Sequence, residues 1–297
     1  MPMNVKHEDS DLGVLNLEAG RRAFMRTLGV GAVAAATIGT TAIPAQAQAV
    51  SEADVLNFAL NLEYVEAEFY LRAATGNGLP DTDTTGLGNL GAVNGGRQVP
   101  VQTNMIGQLI RELARDELAH VRFLRSTLGP AAVARPRLDF VNSFNTFAQF
   151  AGLVPAGGTF DAFANERNFL LAAFVFEDVG VTAYKGATPF IRNSVYLEAA
   201  AGILAVEAYH AGIIRSILYS QGRFQEARQV SDLRDFFDGP SDIDAGIGDG
   251  AFGDLVPNDS NGITFSRTPQ QVLSVVYGSG TAQAGGFFPA GFNGNIR

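Results

Sequence analysis

The sequence predicts an all-α protein: a four-helix bundle with a long crossover connection, followed by an irregular, Gly/Phe-rich C-terminal extension. Three observations support this. Four long stretches carry apolar residues at helical spacing and end at capping or breaking residues. The connection between the second and third stretches is much longer than that between the third and fourth, as in bundles with one crossover. Hydrophobic residues make up 46 % of the 297 residues, enough for a sizeable core.

The first 47 residues are predicted to be an export signal of the twin-arginine (Tat) type. Arg21 and Arg22 precede a weakly hydrophobic, Gly/Ala-rich run at 28–39, and Ala45-Gln46-Ala47 has the small-residue pattern of a cleavage site. The run is shorter than the roughly 20 residues that a membrane-spanning helix needs. The mature protein is therefore expected to be periplasmic or extracellular, with no membrane association after cleavage.

The first two bundle helices are predicted over 51–74 and 103–128. Ser51 is a favourable N-cap for the first helix. Gly76, within a Thr-Gly-Asn-Gly segment, ends that helix, and Gly129 followed by proline ends the second. A Gly/Asp/Thr-rich connector separates the two.

The third and fourth helices are predicted over 160–186 and 193–221. The connector between them is short, so they should be antiparallel neighbours. The segment before the third helix is long enough to cross the bundle and includes a further predicted helix at 142–150. Residues 48–222 are therefore expected to form the bundle domain.

Residues 223–297 are expected to pack on the bundle as an extension. They are rich in Gly, Asp, Pro and Phe, and so many aromatic residues argue against a disordered tail. One further helix is predicted over 268–277, with Pro at its first position. Asp242, Asp244 and Asp249 lack EF-hand spacing and are interpreted as a solvated acidic loop.

Composition excludes several classes of function. The chain has no cysteine, which excludes disulfides, thiol catalysis and zinc–thiolate sites. Its net charge is −9 with scattered Lys and Arg, whereas nucleic-acid binding needs clustered positive charge. No nucleic-acid partner is expected.

Two copies of a Glu-x-x-His motif carry the chemistry. Glu117 and His120 lie on the second helix, and Glu207 and His210 on the fourth. Residues three apart share a helix face, so each pair could bind one metal or flank two. Both pairs lie among apolar residues, where an ionised carboxylate is costly unless it is paired or bound to metal. The alternative interpretation is two buried Glu–His pairs without metal.

The other two helices should each supply one carboxylate. On the third helix, Glu177 lies in an apolar run and is the predicted ligand. On the first helix, Glu63 and Glu66 both lie among apolar residues and remain alternatives. Glu68 falls on the polar face and is interpreted as a surface charge facing Arg72.

A symmetry of spacing favours Glu63. Tyr70 follows Glu63 by seven residues, and Tyr184 follows Glu177 by the same interval. Seven residues make two helical turns, so each tyrosine should lie above its own carboxylate. Tyr70 and Tyr184 could hydrogen-bond the site or its carboxylates, or they could be ordinary core tyrosines.

Two single glutamates with two Glu-x-x-His pairs resemble the di-iron and di-manganese carboxylate proteins of the ferritin-like superfamily. More closely, the segments at 61–70, 267–273 and 285–289 resemble those of ferritin-like desiccation-related proteins, over roughly residues 51–297. The resemblance implies the bundle fold and two Fe or Mn ions, with Glu63 and Glu177 bridging or flanking them. The implied ligands are Glu63, Glu117, His120, Glu177, Glu207 and His210.

The resemblance implies little about the substrate. The leading interpretation is a redox di-metal protein, connected with oxidative stress or desiccation, whose site could oxidise Fe(II) or decompose peroxide, because oxygen and nitrogen ligands without thiolates suit iron or manganese. Its expected partners are metal ions together with O2 or peroxide. The alternative is a non-catalytic desiccation-protection protein, in which metal or Glu–His pairs only stabilise the bundle. The sequence leaves the oligomeric state open, a homodimer included. A ferritin-like cage is not expected, because its shell would have to accommodate the long tail.

Overall fold

The structure is a computed structural model that describes residues 50–297; the predicted export segment, with Arg21 and Arg22, lies outside them. Two short strands, β1 (Val93–Asn94) and β2 (Leu138–Asp139), pair in parallel. The α-helices of the described range are α1 (Glu52–Thr75), α2 (Asn104–Leu128), α3 (Asn142–Phe150), α4 (Glu166–Ala187), α5 (Ser194–Ser220), α6 (Phe224–Asp238) and α7 (Pro269–Tyr277).

Helices α1, α2, α4 and α5 form a four-helix bundle. α1 packs mainly on α2, α4 packs mainly on α5, and α1 also contacts α4. The connection from α2 to α4 carries β2 and α3 and is the long crossover. The predicted all-α bundle is thus confirmed.

The ends of the bundle helices follow from local capping. Ser51 and Asp54 form a reciprocal capping box at the start of α1, and Gly76 ends the helix in the left-handed region at φ 81°. α4 begins at Glu166, later than the predicted residue 160. Its N-cap is Asn165, whose side chain accepts a hydrogen bond from the Asn168 amide.

Helix α6 was missed by the sequence analysis, which took the chain after Gly222 to be irregular apart from one helix. α6 follows α5 directly and has no side-chain cap at its first turn, so its start carries little local signal. The helix is nevertheless amphipathic, because Ala227, Val230 and Phe237 form a buried apolar face. The helix that was predicted in the extension is α7, which has Thr268 as its N-cap and proline at its first position.

The C-terminal extension lies against the bundle and its crossover. The Phe287 ring packs on Phe144 of α3 and Phe176 of α4, with centroids 4.9 and 4.8 Å apart. The Asn293 amide donates to Asn61 Oδ1 at 3.1 Å, and Asn61 Nδ2 donates to the Asn293 carbonyl at 2.8 Å. The extension therefore covers α1 and α4.

A buried charge network joins α4, α5, α6 and the extension. Asp178 Oδ2 accepts hydrogen bonds from Arg215 at 2.7 Å and from Arg234 at 2.8 Å. Asp244 pairs with both Arg234 and Arg267, and all five side chains are buried. Buried charges need such partners, because desolvation of an unpaired one is expensive.

The interpretation of three aspartates as a solvated loop was therefore wrong for Asp244. Asp242 and Asp249 are exposed as expected. Asp244 turns inward because two arginines, one on α6 and one before α7, meet its carboxylate. The sequence spacing does not reveal those partners.

Helix α5 is, among the described residues, the one helix long and apolar enough to cross a membrane by length and composition. The mature protein was expected to have no membrane association. Core helices of soluble proteins pass the same test, and the inner face of α5 carries buried Glu207, His210 and Arg215.

Candidate metal centre

The four bundle helices bring the six predicted ligands together in the core. Each ligand lies on the inward stripe of its helix, where apolar neighbours exclude water. All six residues are buried: Glu63 on α1, Glu117 and His120 on α2, Glu177 on α4, and Glu207 and His210 on α5.

A first group of ligands surrounds the His120 ring. His120 Nδ1 lies 3.3 Å from Glu63 Oε2, 3.1 Å from Glu117 Oε2 and 3.6 Å from Glu207 Oε1. One ligand atom from each residue lies within 4.8 Å of the others, close enough to share one metal ion. Helix α1 thus contributes Glu63 to this group.

A second group surrounds the His210 ring. His210 Nδ1 lies 3.2 Å from Glu117 Oε1 and 3.5 Å from Glu177 Oε2. Glu117 therefore has one oxygen in each group, whereas Glu63 and Glu177 each lie in one. Glu63 on α1 and Glu177 on α4 therefore lie at the two flanks of the centre. The residue that lies between the two groups is Glu117 on α2.

The unpaired atoms of these groups fit a bound cation. Buried polar atoms in folded proteins are nearly always hydrogen-bonded. The following buried atoms have no hydrogen-bond partner: Glu63 Oε2, Glu117 Oε1, Glu177 Oε2, both carboxylate oxygens of Glu207, and His210 Nδ1. Carboxylate and imidazole donors without thiolate suit iron or manganese.

Two buried tyrosines hold the flanking carboxylates, in a crossed arrangement. Tyr70 on α1 donates its hydroxyl proton to Glu177 Oε1 on α4, and Tyr184 on α4 donates to Glu63 Oε1 on α1. Each tyrosine therefore contacts the carboxylate of the opposite helix, not the one on its own helix as expected. These bonds leave the Oε2 atoms of both glutamates facing the histidines.

Asp116 is a functional candidate that the sequence analysis missed. Its Oδ2 lies 3.4 Å from His210 Nε2, and its side chain is 27 % exposed. A carboxylate on the far nitrogen of a metal-binding imidazole fixes the ring orientation and tautomer. The available signal was its position directly before Glu117, which sets it beside the site.

Burial and charge coupling among the side chains of the centre shift their pKa values strongly. Burial raises the pKa of Glu63 to about 7 and that of Glu207 well above its ordinary value. Burial also acts to raise the pKa of Glu117, but the two adjacent imidazoles, His120 and His210, outweigh it and hold that pKa low. Burial would lower the pKa of His120 and His210, yet the carboxylates raise both to about 11. Protons thus offset part of the carboxylate charge, and metal binding must displace them.

The remaining acidic residues of α1 are also buried. Glu66, the alternative to Glu63, is 4 % exposed, but Glu63 is the one that meets His120. The interpretation of Glu68 as a surface charge was wrong, because it is fully buried between Arg72 and Arg135. The crossover, which supplies Arg135, covers the polar face of α1.

The centre approaches solvent only beside its imidazoles. The side chains of His120 and His210 are 10 % and 5 % exposed, whereas the four carboxylates are at most 1 % exposed. His120 belongs to α2 and His210 to α5, so the exposed edge of the centre lies between these two helices. The enclosure therefore restricts access to the centre to small molecules.

A bundle core with two single glutamates and two Glu-x-x-His pairs defines a ferritin-like protein. Residues 51–220 match the family model of the ferritin-like domain, and the chain belongs to this family. It is 33 % identical over 261 residues to the desiccation-related protein PCC13-62 of Craterostigma plantagineum, covering 82 % of this chain and 81 % of that protein. The predicted relation to desiccation-related proteins is thereby confirmed.

A second relative carries an enzymatic name. The chain is 29 % identical over 271 residues to the ferritin-like catalase Nec2 of Nesocodon mauritianus, covering 83 % of this chain and 85 % of that protein. No solved structure matches the chain significantly.

Proposed function

We propose that this protein is an exported di-metal carboxylate protein that binds two Fe or Mn ions and decomposes hydrogen peroxide. The observation that carries the proposal is the pair of ligand groups that share Glu117 in a buried core. The relative named as a ferritin-like catalase favours peroxide as the reactant.

Each group would hold one ion, with His120 and His210 as the nitrogen ligands. The two ions, held by these residues, would supply the two-electron redox chemistry by which two H2O2 give O2 and two H2O. Tyr70 and Tyr184 hold the flanking glutamates with one oxygen free, and Asp116 orients His210. The apolar bundle excludes bulk water and larger reactants.

Metal analysis combined with turnover tests the proposal. Protein purified from its native compartment should contain about two Fe or Mn ions per chain, the number that the two groups can hold. The same preparation should release O2 from hydrogen peroxide, and Fe(II) oxidation is measured in parallel. Protein that is fully metal-loaded and folded but releases no O2 would refute peroxide decomposition.

A non-catalytic role is the second candidate, favoured by the relative named for desiccation. In this role the ions would only remove carboxylate repulsion and stabilise the bundle. Metal-dependent thermal stabilisation without any peroxide or Fe(II) turnover would favour it over the redox function.

Export by the twin-arginine route is proposed from Arg21 and Arg22, the weakly hydrophobic run that follows them and the Ala45-Gln46-Ala47 pattern. Changing both to lysine should block translocation, because such signals are recognised through the arginine pair. A single Arg26→Lys variant, in the same segment, is the matched control. Normal export of the double variant would refute this route.

A further inference from the structure

The first and third bundle helices, α1 and α4, carry a glutamate and a tyrosine at the same spacing. Glu63 on α1 corresponds to Glu177 on α4, and Tyr70 corresponds to Tyr184. The same correspondence places Glu66, three residues after Glu63, opposite Gly180, three residues after Glu177. One half of the centre therefore carries an additional carboxylate where the other half has no side chain.

Glu66 is buried without a charge partner. It is 4 % exposed, its Oε2 has no hydrogen-bond partner, and it forms no ion pair within residues 50–297. Glu68, two residues along the same helix, is equally buried but pairs with Arg72 and Arg135. Because the fold satisfies Glu68 and leaves Glu66 unpaired, a partner outside the polypeptide is indicated for Glu66.

Gly180 makes room for this carboxylate beside Glu207. A Cβ atom at Gly180 would clash with Glu207 Oε2 and would lie 3.4 Å from Glu66 Oε1. Both carboxylates therefore lie over the same stretch of α4 backbone. Neither oxygen of Glu207 has a hydrogen-bond partner, and Glu66 Oε2 has none either, so three buried carboxylate oxygens without a partner belong to this pair of residues at the edge of the centre.

We propose that Glu66 is a fifth carboxylate ligand of the metal centre, binding next to Glu207 over Gly180. The inference rests on the proposed di-metal function and adds a residue to the six ligands of that proposal. Two divalent ions are already neutralised by four carboxylates. A fifth anionic ligand would therefore stabilise the more highly charged oxidation state of the ions.

The test uses Co(II) as a spectroscopic probe of the metal-free protein. Glu66→Gln keeps the shape of the side chain but removes the anionic donor. It should weaken the binding of at least one ion by roughly 10- to 100-fold or more, the range seen for residues that support metal sites. It should also change the Co(II) visible absorption, which responds to the atoms bound directly to the ion. Glu68→Gln is the matched control, expected to lower the melting temperature while leaving affinity and spectrum unchanged.

Two further variants keep the test decisive. Gly180→Ala should displace Glu207 and alter the Co(II) spectrum, because its methyl group enters the shared space. If Glu66→Gln fails to fold, Glu66→Asp retains the charge but withdraws it by one methylene, and the same losses are expected. Wild-type affinity and spectrum in a folded Glu66 variant would overturn the inference while leaving the six-ligand centre intact. A wild-type protein that binds no stoichiometric metal would overturn both.

Discussion

Glu117 has one oxygen in each ligand group, so its loss should affect both ions, whereas the loss of Glu177 should affect only one. An ion present at 100 times its dissociation constant stabilises the folded state by about 2.7 kcal/mol. Two independent ions would give about 5.4 kcal/mol by the same relation. For a domain of this size, that corresponds to a rise of roughly 10–20 °C in melting temperature.

Variants of Glu117 and Glu177 should lose different fractions of this rise in melting temperature, because only Glu117 belongs to both ligand groups. If Glu117→Gln weakens the binding of each ion about 100-fold, the stabilisation that remains is about 0.4 kcal/mol per ion, and the rise in melting temperature nearly disappears. Glu177→Gln should retain about half of the wild-type shift, because the group around His120 is complete without it. Glu112→Gln, an exposed glutamate on α2, is the control and should keep the full shift.

Scanning calorimetry of metal-free and Mn(II)-loaded protein measures these shifts directly. The metal-free melting temperature of each variant provides its own baseline, which separates binding from folding. A larger loss for Glu177→Gln than for Glu117→Gln would refute the assignment of Glu117 to both groups. A wild-type protein without any metal-dependent shift would refute the metal centre itself.

Three further predictions concern the surroundings of the ligands. Tyr184→Phe removes the hydroxyl that donates a hydrogen bond to Glu63 and leaves a buried carboxylate oxygen unpaired, so it should lower the unfolding free energy by about 1–3 kcal/mol. Chemical denaturation measures this free energy, and an unchanged value would show that the hydrogen bond is dispensable. Asp116→Asn should weaken metal binding by roughly 10- to 100-fold, because the His210 ring would no longer be held in orientation by a carboxylate. Calorimetric titration with Mn(II) measures the affinity, and a wild-type value would show that Asp116 does not support the site. The metal-free protein should lose stability between pH 5 and 9. The raised pKa of Glu63, about 7, and those of His120 and His210, about 11, mean that the folded state binds more protons than the unfolded chain in this window. Thermal unfolding of metal-free protein across that range tests the sign, and a melting temperature that rises with pH would contradict it.

Much of the centre could be predicted because its motifs are local. The i, i+3 spacing of Glu117 with His120, and of Glu207 with His210, fixes a shared helix face before any tertiary contact is known. Glu177 could be identified because almost every neighbour on its helix is apolar. The bundle itself follows from helix spacing and connection lengths.

The rest depends on contacts between segments distant in sequence. Glu63 and Glu66 both lie on apolar faces; the spacing to a tyrosine favoured Glu63, and the position of His120 across the bundle shows that Glu63 meets the histidine. Glu68 was misplaced because the crossover that buries it is distant in sequence and supplies Arg135. The crossed bond from Tyr70 to Glu177 likewise depends on how α1 lies against α4.

The distribution of the ligands makes the two hairpins of the bundle dependent on each other. The group around His120 takes Glu207 from the second hairpin, α4–α5, and the group around His210 takes Glu117 from the first, α1–α2. The crossed tyrosines repeat this exchange, since each hairpin supplies the hydroxyl that holds the other's carboxylate. A chain in which only one hairpin has folded therefore offers no complete group to a metal ion. Metal retention would accordingly report that the two hairpins have docked, and a loaded molecule would be one whose assembly is finished.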